Sequence, residues 1–134
     1  MTAKVTYTGG LRTNCEHIGS GNSFITDAPL DNLGLGQAFS TTDTLATGLA
    51  SCMFSVMGIK ARGLELDLEN STTNIIKHME ADPRRITRID VKFNLPKIIS
   101  DKHRKILEHT ARTCPVHYSL HPDIVRNITF QCNL

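Results

Sequence analysis

Cys114 stands immediately before Pro115. A residue before proline is pushed out of the helical region, and proline favours the first helical position, so Cys114 is expected at the N-cap of a short helix. Unpaired backbone N–H groups and the positive end of the helix dipole at that position favour a thiolate and lower its pKa. Cysteine is not a preferred capping residue, and its presence there leans toward function. The segment Cys114-Pro-Val-His117-Tyr-Ser-Leu-His121 has a second reading. Spacings of three and four put one thiol and two imidazoles on one helical face, so a metal or ligand site using Cys114, His117 and His121 is conceivable. A structural zinc asks for a fourth ligand, and Cys132, or Cys15 with His17, is far away in sequence. The plain alternative is a pair of histidines on a solvated helix near its C-terminus.

Three other residues have chemical potential but no signal of their own. Cys52 sits within the longest uncharged stretch, the 16 residues from Thr44 to Ile59, where a free cysteine reads as a small buried apolar group. Arg12 follows the Gly9-Gly10 turn and by itself is a solvated strand residue. Asp43 reads most simply as an acid in the first turn of a helix. Arg84, Arg85, Arg88 and Lys92 form a basic hairpin, read as a solvated face. Gly34-Leu-Gly36 lacks a third glycine and a strand-to-helix setting, so it is a loop, and no cofactor is expected.

The elements that must position these residues can be read from the pattern. Lys4–Tyr7, Leu11–Cys15 and Phe24–Thr26, separated by glycine-rich turns, read as an antiparallel meander. Leu45, Leu49, Cys52, Val56 and Ile59 then step by four and three along one helical face, while Ala46, Ala50, Met53 and Met57 form another. A helix apolar on most sides is expected to be buried. Thr41 or Thr42 can cap it, and Gly63 can stop it. Strands follow at Thr73–Glu80 and around Ile89, Val91, Phe93 and Leu95. Next come a helix capped by Ser100, the short helix from Pro115 to about Leu120, and a last strand through Ile128, Phe130 and Cys132. The order β-β-β-α-β-β-α-α-β predicts an α+β fold. A single sheet of about six short strands covers only one side of the long helix, so a homodimer is expected to supply the rest.

Composition bounds the function. At 134 residues the chain is expected to be one domain, 1–134, since domains run roughly 100–200 residues. With 21% charged and 40% apolar residues it should fold rather than stay disordered. A net charge of +2, no Trp and 2 Tyr argue against a nucleic-acid partner. No signal peptide is visible at the N-terminus, and the uncharged stretch is shorter than the ~20 residues that span a bilayer. A cytoplasmic protein with no membrane partner is therefore expected, and the sequons at Asn70 and Asn127 are incidental. The 4 cysteines then read as thiols, ligands or redox groups and not as a structural framework.

Taken together, the segments Tyr7-Thr-Gly-Gly-Leu-Arg12, Thr26-Asp-Ala-Pro29, Ala46–Ile59 with its Ser51-Cys52-Met53, His78-Met79, Asp82-Pro-Arg-Arg85 and Cys114-Pro-Val-His117 with Ser119-Leu-His-Pro122 resemble the OsmC/Ohr family of thiol-dependent hydroperoxide reductases, on the OsmC-like side. The resemblance implies an OsmC-like fold with antiparallel strands around a long central helix, in an intertwined homodimer. It implies Cys52 as the peroxidatic thiolate and Cys114 as the resolving thiol, joined in a disulfide after an organic hydroperoxide has been reduced. An external dithiol then restores both. Arg12 matches the arginine that stabilises the thiolate and polarises the peroxide, and Asp43 matches an acidic partner for it. Nine residues of helix from Asp43 to Cys52 turn through about 900°, so the two side chains would face opposite ways. Asp43 is then expected to act from a non-helical entry or across to a partner subunit. Cys15, beside Glu16, and Cys132, on the apolar face of the last strand, are expected to be bystanders.

Overall fold

Gly9, Gly10 and Leu11 take positive φ angles of 87°, 60° and 61°. Two successive glycines make such a turn accessible, because they enter this region without a Cβ penalty. The turn joins β1 (Ala3–Gly9) to β2 (Arg12–His17), and β3 (Ser23–Asp27) pairs antiparallel on the far side of β2. The computed structural model describes residues 1–134, which gather into two compact units, Met1–Leu45 and Ala46–Leu134.

The helix α1 covers Thr41–Gly63. Its start is held by Ser40 and Asp43 and not by Thr41 or Thr42. The Asp43 amide donates to Ser40 Oγ (3.1 Å), and the Ser40 amide donates to Asp43 Oδ2 (2.9 Å). This is a capping box with an aspartate in the third helical position, and it satisfies two backbone donors at once. Asp43 is thus inside the helix and not on a non-helical entry.

In the second unit α1 is followed by β4 (Thr72–Glu80), β5 (Arg85–Leu95), α2 (Asp101–Ala111), α3 (Pro115–Ser119) and β6 (Val125–Cys132). The expected element order is found, and the fold is α+β. The strands form two three-stranded sheets, β1-β2-β3 and β4-β5-β6, in place of the single sheet expected. The second is mixed, since β4 and β5 are antiparallel but β6 runs parallel to β5. A parallel pair needs a long crossover, and α2 with α3 supplies it.

The core of this unit lies between one face of α1 and one face of the sheet. Leu49, Met53 and Met57 are buried against Ile89, Val91, Phe93 and Leu95, the alternate residues of β5. The Phe93 ring meets Phe54 edge-on and stacks on Phe130, each at 4.8 Å between centroids, which ties α1, β5 and β6 together. By length and composition α1 could cross a membrane. Its face from Ala46 to Ala61 instead packs in this core. The helix is not buried all round within one chain, because Leu45 and Ile59 are 45% and 73% exposed.

Candidate active site

In the first unit the turn and the loop after β3 assemble a polar cluster around Arg12. Arg12 opens β2 and lies directly across from Asp27, the last residue of β3. Its Nη2 donates to Asp27 Oδ2 at 3.2 Å. The chain then folds back through a tight loop in which Gly36 N donates to the Ala28 carbonyl at 3.1 Å. Gly34 is required there, since a Cβ would sit 1.7 Å from the Ala28 oxygen. The loop returns Gln37 to the pair. Its amide donates to Asp27 Oδ2 at 2.8 Å, and its Oε1 accepts from Arg12 Nη2.

Asp27 is only 1% exposed. The hydrogen bond from Arg12 and the Gln37 amide hold its carboxyl below the usual carboxylate range, against the opposite pull of burial. Two buried atoms of this cluster, Arg12 Nε and Asp27 Oδ1, have no hydrogen-bond partner. The acid found on Arg12 is therefore Asp27, to which the sequence pattern assigns no role, as it assigns none to Gln37. The Thr26-Asp-Ala-Pro29 segment carries the only signal, and only the β2–β3 register shows that its aspartate faces Arg12.

In the second unit α1 and α3 bring two sulfurs together. Cys114 is the N-cap of α3, with extended backbone angles (φ −68°, ψ 144°), and Pro115 occupies the first turn. Its Sγ accepts the His117 amide at 3.2 Å. Cys114 is fully buried, and its thiol lies close enough to Cys52, the half-buried cysteine of α1, for the two to interact electrostatically. The expected lowering of the Cys114 pKa by the helix start is not found. Burial pushes this thiol up and outweighs the downward pull of the His117 and Val116 amides, and the neighbouring Cys52 pushes it further up.

His117 does not turn this pair into a metal centre. Its imidazole is held toward the neutral form by burial, with Arg126 and Arg112 adding to the effect, and Nδ1 is buried without a partner. His121 lies beyond α3, with Nδ1 accepting the Asp123 amide at 3.1 Å. No group of three or more His, Cys, Asp or Glu side chains converges anywhere in the chain. Cys132 is half-buried on β6, where burial pushes its thiol up, and Cys15 lies on β2 in the first unit.

The OsmC-like protein family model matches residues 34–129. Among solved structures, a protein assigned to osmotic stress induction and detoxification response from Psychrobacter arcticus 273-4 is 49% identical, with a TM-score of 0.95 over 98% of this chain and 96% of that one. An OsmC-like protein from Mycoplasma pneumoniae shares the fold at 13% identity (TM-score 0.82, 98% and 96% covered). So does an organic hydroperoxide resistance protein from Elizabethkingia anophelis at 17% identity (TM-score 0.77, 99% and 97% covered). No curated protein matches the sequence.

Proposed function

The chain belongs to the OsmC-like family, and from that membership we propose that it is a thiol-dependent peroxidase reducing organic hydroperoxides in defence against oxidative stress. The observation that carries this reading is the proximity of Cys52 to Cys114, two thiols on separate helices near enough for the first to raise the pKa of the second. Cys52 is the half-exposed member and takes the attacking role. Its thiolate attacks one oxygen of the peroxide, the O–O bond breaks, and the alkoxide leaves and is protonated to the alcohol. Cys52 is left as a sulfenic acid. The Cys114 thiol gives up its proton, attacks the Cys52 sulfur and releases water, forming the disulfide. An external dithiol returns two electrons by exchange.

The Cys114 environment suits the resolving role. Burial and the neighbouring Cys52 hold its pKa up, so Cys114 stays a protonated thiol until the sulfenic acid forms beside it. Arg12 is assigned to binding and polarising the peroxide, and Asp43 to holding the start of the helix that carries Cys52. The exposed Leu45 and Ile59 of α1 support a homodimer that covers this helix, and four free thiols suit a reducing, cytoplasmic setting.

Thiol titration tests the reading. One equivalent of an alkyl hydroperoxide should lower the titratable thiols from four to two, with recovery on adding a dithiol. Four thiols surviving the peroxide would exclude the cycle.

A further inference from the structure

Strand β6 turns Arg126, Ile128, Phe130 and Cys132 to one face, beside the inward row Ile89, Val91, Phe93 and Leu95 of β5. Arg126 is the only charged residue in these two rows, and its half-buried guanidinium must find acceptors. It finds them on the segment that carries Cys114. Its Nη2 donates to the Leu120 carbonyl at 3.0 Å and to the His121 carbonyl at 3.1 Å. Leu120 is the C-cap of α3, where carbonyls lack partners inside the helix, so one cation closes the open end of that single turn. At the other end of the segment Arg112, the C-cap of α2, donates from Nη2 to the Ile128 carbonyl of β6 at 3.1 Å. The chain from Arg112 to His121 is thus tied to β6 at both ends, with the Cys114 sulfur between the ties. Burial, and then Arg126 and Arg112 themselves, hold the His117 imidazole toward its neutral form, so no third cation pushes against the two arginines.

We propose that Arg126, with Arg112 as the second tie, is the positioning residue of Cys114: by fixing the α3 segment to β6 it keeps this sulfur beside Cys52 and sets how fast the Cys52 sulfenic acid becomes a disulfide. The inference rests on the peroxidase reading and adds control of its second step. The sulfenic acid has two fates. In one, the Cys114 thiol attacks the Cys52 sulfur, the S–S bond forms, and the thiol proton leaves with the sulfenic hydroxyl as water. In the other, a second hydroperoxide gives up an oxygen, leaving sulfinic acid and an alcohol. The first is intramolecular, and its rate follows how constantly the second sulfur is held in place.

The first test needs no peroxide. The full chain with Cys15 and Cys132 replaced by serine is equilibrated in glutathione buffers, and the oxidised fraction gives the effective concentration of one thiol toward the other. Arg126→Ala should lower it about tenfold, the factor for losing a hydrogen bond from a charged group. Arg126→Lys should recover part of the loss, since an ammonium still donates to a carbonyl but lacks the planar fork. An unchanged value in a folded Arg126→Ala overturns the proposal, and so does a wild-type pair that forms no disulfide at any glutathione ratio. Should Arg126→Ala fail to fold, Arg126→Gln decides: a fall of about threefold is expected, and the wild-type value refutes the tie. The second test adds cumene hydroperoxide. Arg126→Ala should yield several times more Cys52 sulfinic acid per turnover, read by mass, and should add nothing in a Cys114→Ser background. A further rise in that background would show that Arg126 acts on Cys52 and not through Cys114. Wild-type protein that forms the disulfide in glutathione yet consumes no hydroperoxide removes the functional reading alone, and the glutathione comparison still decides whether Arg126 places Cys114.

Discussion

The Cys114 sulfur accepts the backbone N–H of His117 at 3.2 Å and at the same time lies within electrostatic reach of the Cys52 thiol. One atom therefore caps α3 and responds to a thiol on α1. Any change at Cys114 acts on the helix start and on the sulfur pair together, and substitutions can be chosen to separate the two.

Serine at position 114 keeps a capping acceptor and removes the sulfur. Cys114→Ser should leave the thermal midpoint near that of the native protein, because serine is a favoured N-cap. Peroxide should then stop the protein at the Cys52 sulfenic acid, read as a mass gain of one oxygen with no disulfide. Formation of an internal disulfide in this variant would assign resolution to another cysteine.

The raised pKa of Cys114 sets an alkaline limit on stability. A thiol held up in the folded state keeps its proton when the unfolded chain, with an ordinary thiol pKa of about 8.5, has lost it. Above that value the unfolded state binds fewer protons, so stability falls as pH rises toward the folded-state value. The midpoint of the reduced protein should decline from about pH 8.5 upward, and Cys114→Ser should flatten that decline. An unchanged slope in the variant would contradict the burial argument.

Asp90 sets the acid side. Hydrogen bonds from Arg88 and then His78 draw its carboxyl from 3.8 down to about 2. The folded value lies below the unfolded one, so its contribution is present above about pH 4 and disappears as pH falls toward 2. Asp90→Asn should make thermal midpoints measured between pH 5 and pH 2 less steep. Equal slopes for both proteins would mean that this carboxylate gains nothing on folding.

Ser40→Ala removes one half of the capping box and should cost about 1 kcal/mol in urea unfolding. Asp43→Asn should cost less, because an amide oxygen can still accept from the Ser40 amide. A Ser40→Ala protein as stable as the native one would show that the box adds nothing at this helix start.

Cys15→Ser and Cys132→Ser should each leave peroxide consumption within about twofold of native, since neither sulfur is among the groups that act on Cys114. A much larger loss in a folded variant would reassign the redox pair.

Much of this architecture is legible in the amino-acid pattern. The step of four and three from Leu45 to Ile59 locates α1, and Pro115 places Cys114 at the start of α3, where it is found. The alternation of Ile89, Val91, Phe93 and Leu95 gives β5 and its buried face. Other features depend on distances that a linear pattern does not contain. Asp27 meets Arg12 only through the β2–β3 register, and Gln37 joins them only because the loop at Gly34 closes tightly. The Cys114 pKa moves opposite to the expectation from its helix start, because burial acts in the other direction and depth of burial is a tertiary property. The direction of β6 is equally hidden, since its residues alternate the same way in a parallel or an antiparallel pair.

That parallel β6 also orders events along the folding route. β4 and β5 are joined by a short turn and can pair early, whereas β6 can pair with β5 only after the chain through α2 and α3 has been brought around. Closing such a long segment is slow compared with closing a hairpin. Cys114 rides on that segment, so its sulfur comes near Cys52 only in the same late closure that seats the final strand.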